Sequence, residues 1–326
     1  MCCRACRYWR RLLDAGLGGP WCDQTTNSLP KSAAVAYKEI MPEGPEIETV
    51  RRGLVDLLLQ QRFGQATVSP YRLRWPANAQ QLNCLAGATV QALHAHGKLM
   101  WLQLGAERGL FVRLGMSGSM RVVPRSQPQQ PHTHVCIDLM GSDQQLRYID
   151  PRRFGGVWSF FSHNELQQQL AQLGPDPLRW SQQQQQQVLQ GMQHSQRCLK
   201  NLLLDQRILA GVGNIYACEA LFAAKLSPFA RAHHCSTQQL QRLLQCVQQV
   251  LQQAVLHQGT SFQLYRTARG MQGQFAQRLQ VFQRQGLPCL ACNQPIERIA
   301  QAGRSTFLCR QCQRLQVASL GNQSQN

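Results

Sequence analysis

The sequence is poor in lysine and in acidic residues. It contains five lysines against 29 arginines, and only 16 aspartates and glutamates among 326 residues. It has no run of eighteen apolar residues, which excludes a transmembrane helix of ordinary length. The formal net charge is +18 and the pI is about 9.8. So basic a chain favours a polyanionic partner, with nucleic acid as the first candidate and a generic basic surface as the alternative.

Lysine is scarce enough for the remaining lysines to be informative. Two of the five lie in the first forty residues, so the rest of the chain keeps Lys98, Lys200 and Lys225. Lysine can change its protonation state near neutral pH in a suitable environment, whereas arginine stays charged. A lysine retained in such a chain is therefore a candidate for chemistry that needs an amine, with chance retention as the alternative.

The fourteen cysteines include one regularly spaced group. The other cysteines are irregularly placed and, with no convincing signal peptide, they indicate a reducing cytosol. PCLAC at residues 288–292 and LCRQC at residues 308–312 form two C-x2-C pairs, whose spacing predicts one closed, structural zinc site. A segment of roughly 30 residues needs such a metal because it buries too little apolar surface alone. The predicted ligands are Cys289, Cys292, Cys309 and Cys312.

Hydrophobic periodicity predicts both helices and strands. From Pro45 the apolar residues follow one helical face. After Phe63, short alternating runs such as ATVSPYRLRW and HVCIDLM predict an antiparallel sheet folded into a sandwich or flattened barrel. A glutamine-rich stretch over residues 165–196 is interpreted as the connection between domains, leading into a helix near Val188. From Cys198 to His257 the pattern is helical again.

The helical region is interrupted by AGVGN at residues 210–214. The two glycines allow a tight turn, after which Asn214 is predicted to cap the next helix. A helix that begins at such a turn exposes backbone N–H groups, and these form a natural phosphate site.

Nine blocks of the sequence resemble bacterial formamidopyrimidine-DNA glycosylases. In order they are MPEGPEIETVRRGL, GKLMWL, RLGMSGSM, HTHV, YIDPRRFGG, LGPDPL, LDQRILAGVGNIYACEALF, FAQRLQVFQRQGLPC and GRSTFLCRQCQ. The resemblance runs from Met41 to about Gln313 and leaves residues 1–40 unmatched. It implies a base-excision repair enzyme for 8-oxoguanine and formamidopyrimidines that is both a glycosylase and an abasic-site lyase. It also implies one structural zinc, no organic cofactor, double-stranded damaged DNA as the partner, a monomer, and a bacterial, nucleoid-associated cytoplasmic location.

The resemblance also implies an α+β architecture of several domains. We expect an N-terminal β-sandwich with flanking helices, a helix–two-turn–helix domain and a C-terminal β-hairpin zinc finger. The expected division is an extension at residues 1–41, a catalytic sandwich at 42–172, a linker at 173–190, a DNA-binding domain at 191–270, a finger at 271–318 and a tail at 319–326.

The implied chemistry starts at Pro42. Once Met41 is removed, proline presents a secondary amine that can attack the anomeric carbon of a damaged nucleotide and form an iminium. By motif, Glu43 is the acid/base that assists opening of the sugar ring. Lys98 is implied to donate a proton in β-elimination and to contact phosphate. Arg304 is implied to hold the phosphate beside the lesion and to serve δ-elimination.

Further residues are implied to contact DNA. The family fills the space left by the extruded base with three side chains, here Met116, Arg152 and Phe154. The positions implied to contact the DNA backbone are His132, Lys200 and Asn214.

Some features depart from the family pattern and leave alternatives open. Arg113 stands where the family often has His, and the loop QLYRTARGMQGQFAQ, which covers the extruded base in the family, differs in detail. The alternatives are an endonuclease VIII-like glycosylase for oxidised pyrimidines, and a non-catalytic damaged-DNA-binding protein if Pro42 stays internal. We expect translation to begin at Met41, with a cleaved targeting segment at residues 1–40 as the other interpretation.

Overall fold

The computed structural model describes residues 41–260 and 274–314. The extension at residues 1–40, most of the loop QLYRTARGMQGQFAQ and the tail at 319–326 therefore lie outside the described residues. Within the described part, no helix is both long and apolar enough to cross a membrane.

Two four-stranded antiparallel sheets form the first half of the chain. Their strand orders are β1–β6–β7–β5 and β2–β3–β4–β8. The strands are β1 (Arg62–Val68), β2 (Ala92–His96), β3 (Leu99–Gln103), β4 (Gly109–Arg113), β5 (Ser119–Pro124), β6 (Thr133–Met140), β7 (Gln144–Ile149) and β8 (Gly156–Phe160).

The two sheets enclose one apolar core, as the sandwich prediction requires. Residues of both sheets are buried in it, among them Phe63 and Leu146 from one sheet and Met100 from the other. Helix α1 (Gly44–Leu58) buries one face, including Ile47 and Leu54, in the same core. The short helix α2 (Ala79–Asn83) and helix α3 (His163–Ala171) complete this half.

A second core unites the helices that follow with the C-terminal hairpin. It is formed by residues of α4 (Gln182–Gln193), α5 (Leu199–Leu203), α6 (Asn214–Ala223) and α7 (Thr237–Leu256). The hairpin of β9 (Glu297–Gln301) and β10 (Arg304–Leu308) contributes one residue of β10 and residues that flank the two strands. Phe307 and Cys309 are buried there beside helical residues. The hairpin segment is therefore packed against the helices and does not project as a free module.

The helix predicted near Val188 is α4, which begins at Gln182 because Ser181 accepts a hydrogen bond from the backbone N–H of Gln184 and glutamine is a good helix former. Two other local predictions were wrong. The run ATVSPYRLRW is a strand only to Val68, since Pro70 cannot donate to a ladder. The N-cap of α6 is Gly213, and Asn214 is its first helical residue.

Candidate active site and nucleic-acid interface

A cleft of about 200 Å³ brings together three of the four predicted catalytic residues. Pro42, Lys98 and Arg304 line it, although they come from the start of the sandwich, the β2–β3 turn and the finger hairpin. Trp75 and Arg113 also line it. The residues of this site are therefore remote in sequence, since Pro42 and Arg304 are 262 positions apart.

Glu43, the fourth predicted catalytic residue, is buried beneath the cleft. Its carboxylate accepts hydrogen bonds from the backbone N–H groups of Ile215 (3.0 Å) and Tyr216 (3.4 Å), at the N-terminus of α6. Burial raises the pKa of Glu43, while the charge of Lys98 and these N–H donors oppose the rise. Because Glu43 occupies the start of α6, the N–H groups predicted to bind phosphate there are already satisfied.

Lys98 is held in place by a tight turn. Gly97 has φ +58°, and a Cβ at this position would lie 2.7 Å from the Cβ of Ala210, so a larger residue would not fit. The N–H of Gly97 donates to Asp176 Oδ2 (3.0 Å) in the LGPDPL segment. Burial lowers the pKa of Lys98, and Glu43 opposes that shift. A lysine in this environment gives up its proton more readily than an exposed one.

A buried carboxylate that the sequence analysis missed lies behind Glu43. Glu46 accepts hydrogen bonds from the N–H of Glu43 (2.9 Å), the hydroxyl of Tyr216 (2.5 Å) and the N–H of Thr260 (2.7 Å). Burial, and then the neighbouring Glu43, raise the pKa of Glu46 to about 7. The sequence carried no signal that Glu46 would meet Tyr216 and Thr260, which are remote from it in the chain.

Arg304 is exposed at the start of β10. The residue after it, Ser305, is fixed by hydrogen bonds to its backbone carbonyl. Lys200 Nζ donates to the carbonyl of Ser305 (3.0 Å) and to the hydroxyl of Thr306 (2.7 Å). Asn214 Nδ2 donates to the same Ser305 carbonyl (2.9 Å). Lys200 is fully buried, so its ammonium faces the hairpin backbone rather than open solvent.

Two loops carry the three side chains expected to replace an extruded base. Met116 lies between β4 and β5, and Arg152 and Phe154 lie between β7 and β8. The guanidinium of Arg152 lies over the ring of Phe154, 4.8 Å from its centre. Phe154 is 41% exposed, so its ring is accessible to a ligand.

A buried hydrogen-bond network joins these two loops. Asp150 is inaccessible to solvent and accepts hydrogen bonds from the hydroxyl of Ser117 (2.5 Å) and the N–H of Gly155 (2.8 Å). Ser117 Oγ in turn accepts from the N–H of Arg152 (3.0 Å). The predicted contact His132 is exposed, and its carbonyl accepts from the N–H of Asp150 (3.0 Å). The motifs GMSG and YIDPRRFGG contain Ser117 and Asp150, but the motifs do not reveal that the two meet.

The four C-terminal cysteines fit a zinc ion. Their sulfur atoms all lie within 4.8 Å of one another, with 3.4 Å between Cys292 and Cys309 and 3.9 Å between Cys289 and Cys312. Tetrahedral Zn–S bonds of 2.3 Å require sulfur–sulfur separations of about 3.8 Å. Arg310, which lies between two of these cysteines in the sequence, is paired with Glu297 (2.7 Å).

The fold and the site together define a class of protein. A β-sandwich that opens with a proline-headed helix, a domain of paired helices and a four-cysteine hairpin are the parts of a zinc-finger DNA glycosylase. The N-terminal domain of formamidopyrimidine-DNA glycosylase matches residues 41–157, its H2TH domain matches residues 173–266, and the zinc finger found in FPG and IleRS matches residues 286–315.

Similar proteins identify the family. Formamidopyrimidine-DNA glycosylases of Pectobacterium carotovorum and Escherichia coli are 38% identical over 275 and 280 residues, covering 84% of this chain and 100% of each relative. The crystal structure of MutM (FPG) from Thermus thermophilus matches with a TM-score of 0.74 and 38% identity, covering 85% of this chain and 100% of that one. A Lactococcus lactis FPG mutant in complex with DNA containing Fapy-dG matches with a TM-score of 0.76 and 28% identity, covering 84% and 100%. The chain belongs to the formamidopyrimidine-DNA glycosylase family, which confirms the resemblance.

Proposed function

We propose that the protein excises oxidised purines from double-stranded DNA in base excision repair and then cleaves the strand at the abasic site. The observation that carries this proposal is the cleft shared by Pro42, Lys98 and Arg304, with Glu43 buried beneath it. The family supports the substrate class, since its solved members include complexes with DNA that contains Fapy-dG, carbocyclic 8-oxo-G or an abasic site.

The first chemical step belongs to Pro42. When it is the first residue, its nitrogen is a secondary amine, and α-amino groups have pKa values of about 7.7–8.0, so a useful fraction is neutral at pH 7. The nitrogen attacks C1′ of the damaged nucleotide, and the glycosidic bond breaks with its electron pair leaving on the base. The base takes up the proton that the proline nitrogen loses. The C1′–O4′ bond then opens as the iminium forms, and O4′ takes a proton from Glu43, whose pKa is raised by burial.

Strand cleavage follows from the iminium. The iminium is an electron sink that makes the C2′ proton acidic, so this proton is lost and the C3′–O bond breaks with departure of the 3′ phosphate. Lys98, whose pKa is lowered by burial, supplies a proton in this β-elimination. A second elimination removes the C4′ proton and breaks the C5′–O bond, and Arg304 binds the phosphate that leaves. Water then hydrolyses the iminium and releases Pro42 from the sugar remnant.

We assign the DNA contacts from the same arrangement. Met116, Arg152 and Phe154 fill the space left by the extruded base, with Arg152 facing the orphaned cytosine. His132 is exposed and contacts the backbone directly. For Lys200 and Asn214 we propose a contact that acts through the hairpin, because both hold Ser305 beside Arg304.

The remaining expectations concern organisation and location. We retain the domain division at residues 41/42, 172/173, 270/271 and 318/319. The boundary expected at 190/191 falls inside α4, so we propose that the helical domain includes this whole helix. We propose a monomer in a bacterial cytoplasm, close to the nucleoid. The bacterial relatives support this location, and so do the ten cysteines of the described residues, which carry no disulfide.

One zinc held by the four finger cysteines stabilises the hairpin that carries Arg304.

Borohydride trapping tests the proposed nucleophile. A chain that begins at Pro42, incubated with a duplex containing 8-oxoguanine opposite cytosine and then reduced, should form a covalent adduct that maps to Pro42. The full chain, in which Pro42 is internal and has no amine, should give none. A strong adduct from a verified full-length chain, mapped to Lys98 or elsewhere, would overturn the proline mechanism. DNA binding without any adduct from either chain would favour the non-catalytic alternative.

A further inference from the structure

An exposed tyrosine lies on a segment bonded to the loop that carries Arg152 and Phe154. Tyr71 is 63% exposed, and its segment, residues 69–75, follows β1. The N–H of Arg74 donates to the carbonyl of Arg153 (3.1 Å), and the N–H of Trp75 donates to that of Gly155 (3.3 Å). The segment that carries Tyr71 is therefore hydrogen-bonded to the loop that carries Arg152 and Phe154, two of the side chains expected to enter the duplex.

Consecutive arginines of this loop form two arginine–aromatic pairs. Arg152 lies over Phe154, and Arg153 lies over the ring of Tyr71 with 5.8 Å between the guanidinium carbon and the ring centre. Arg153 has φ +59°, a left-handed conformation that favours glycine or asparagine over a long side chain.

The exposed charged residues in the two segments that carry Tyr71 and Arg153 are all positive. Residues 69–75 contain Arg72 and Arg74, both exposed, and no acidic residue. The single carboxylate of residues 150–156 is Asp150, which is inaccessible to solvent and engaged by the hydrogen bonds described above. A ligand for this surface must be anionic and must offer flat or apolar groups to an aromatic ring. A nucleic-acid strand meets both conditions.

We propose that Tyr71 and Arg153 form a second DNA contact beside Met116, Arg152 and Phe154. Arg153 binds a backbone phosphate, and Tyr71 packs its ring against a sugar or base of the same strand. This inference rests on the proposed function, because it adds a binding element to the same DNA site. In this proposal the ring of Tyr71 contributes directly to the affinity for DNA.

Equilibrium binding of the full chain to a duplex with a tetrahydrofuran abasic analogue tests the contact. Tyr71→Ala should weaken binding by about tenfold, within the range for loss of one aromatic stacking contact, while leaving the salt dependence unchanged. Tyr71→Phe should bind like the unchanged protein, since the ring and not the hydroxyl is used. Arg153→Ala should reduce the slope of log K against log salt by about 1, the value for one phosphate.

Phe161→Ala is the matched control. Phe161 is also an exposed aromatic residue (39%), but it follows the far end of β8, five residues from the loop end of that strand, and should have no effect on binding. If Tyr71→Ala binds as tightly as the Phe161 control while the unchanged protein binds well, the second contact is wrong and the proposed function stands. If the unchanged protein does not bind this duplex and protein that begins at Pro42 also fails to bind it, both are wrong.

Discussion

Glu46, together with Glu43, joins the N-terminal segment to the helical half. It receives hydrogen bonds from Glu43, Tyr216 and Thr260, which are far apart in sequence, and it is almost fully buried. Its pKa of about 7, raised by burial and by Glu43, means that it changes charge close to the working pH. A buried carboxylate of this kind makes the stability of the site depend on pH.

The first prediction concerns this pH dependence. An acid whose pKa is raised in the folded state stabilises the fold while it is protonated, so its contribution is complete below about pH 4.5 and is lost as the pH rises through about 7. A rise from 4.5 to about 7 corresponds to as much as about 3 kcal/mol.

Urea unfolding at several pH values between 5 and 8 measures how the free energy of unfolding depends on pH. In Glu46→Gln the loss of stability over this range should be smaller than in the unchanged protein. The amide cannot accept both sets of hydrogen bonds, but that cost is independent of pH and cancels in the comparison of slopes. Parallel pH profiles for the two proteins would contradict the prediction.

The second prediction concerns Arg152 and lesion choice. Because Arg152 is proposed to face the orphaned cytosine, Arg152→Ala should erode the preference for 8-oxoguanine opposite cytosine over the same lesion opposite adenine. Non-specific affinity should fall far less, since one contact among many phosphate contacts is a small share. Single-turnover excision on the two duplexes measures the preference. Faster excision of thymine glycol than of 8-oxoguanine by the unchanged protein would instead favour the oxidised-pyrimidine alternative.

At the scale of elements, the β9–β10 hairpin is fastened to the helices by the residue that follows Arg304. Lys200 and Asn214 converge on the carbonyl of Ser305, and Thr306 also donates to Gln301. If Lys200 is removed, Ser305 keeps its bond to Asn214 and Thr306 keeps its bond to Gln301. Loss of Lys200 should therefore loosen the hairpin without unfolding it.

The third prediction follows from this arrangement. Lys200→Met should slow δ-elimination, which depends on Arg304, by roughly tenfold to a hundredfold, as expected when a catalytic group is displaced by up to about 1 Å. β-Elimination should be less affected. The ratio of the two cleavage products, resolved on a sequencing gel with protein that begins at Pro42, measures the effect. Lys225→Met, at an exposed lysine just after α6, is the control and should leave the ratio unchanged. An equal loss of both products in Lys200→Met would show a general defect in place of a positioning one.

At the scale of the whole molecule, the finger and the helices share one core. Cys289, Cys309, Ile296 and Phe307 are buried among residues of the helices, so the proposed zinc supports more than its own hairpin. If the metal is lost, four thiols are left close together and part of the second core loses its packing.

The fourth prediction tests this support. The protein should contain one zinc per chain, and Cys309→Ser should lose the zinc and most of its DNA affinity because Arg304 is no longer held. Metal analysis by mass spectrometry and binding to the abasic-analogue duplex measure the two effects. Cys84→Ser, at an exposed cysteine far from the finger in sequence, should retain both. Active protein without zinc would rule out the finger assignment.

The sequence alone predicted the features that are encoded locally. Strand alternation, the apolar face of α1 and the paired C-x2-C spacing each depend on neighbouring residues, so they can be read without knowledge of the fold. Motif resemblance added the sandwich, the paired helices, the finger and the residues Pro42, Lys98 and Arg304, which the structure places in one cleft.

Only the tertiary structure decided which interactions side chains make with residues far away in the sequence. Asn214 is a good N-cap residue by type, yet the start of α6 is bonded by Glu43, which is 172 positions from Ile215. Lys200 has the charge of a phosphate ligand, yet it is buried against a hairpin more than a hundred positions away. The raised pKa of Glu46 likewise comes from desolvation by groups brought together only by folding. Residue type defines which interactions a side chain can make, and packing of remote segments decides which of them it does make.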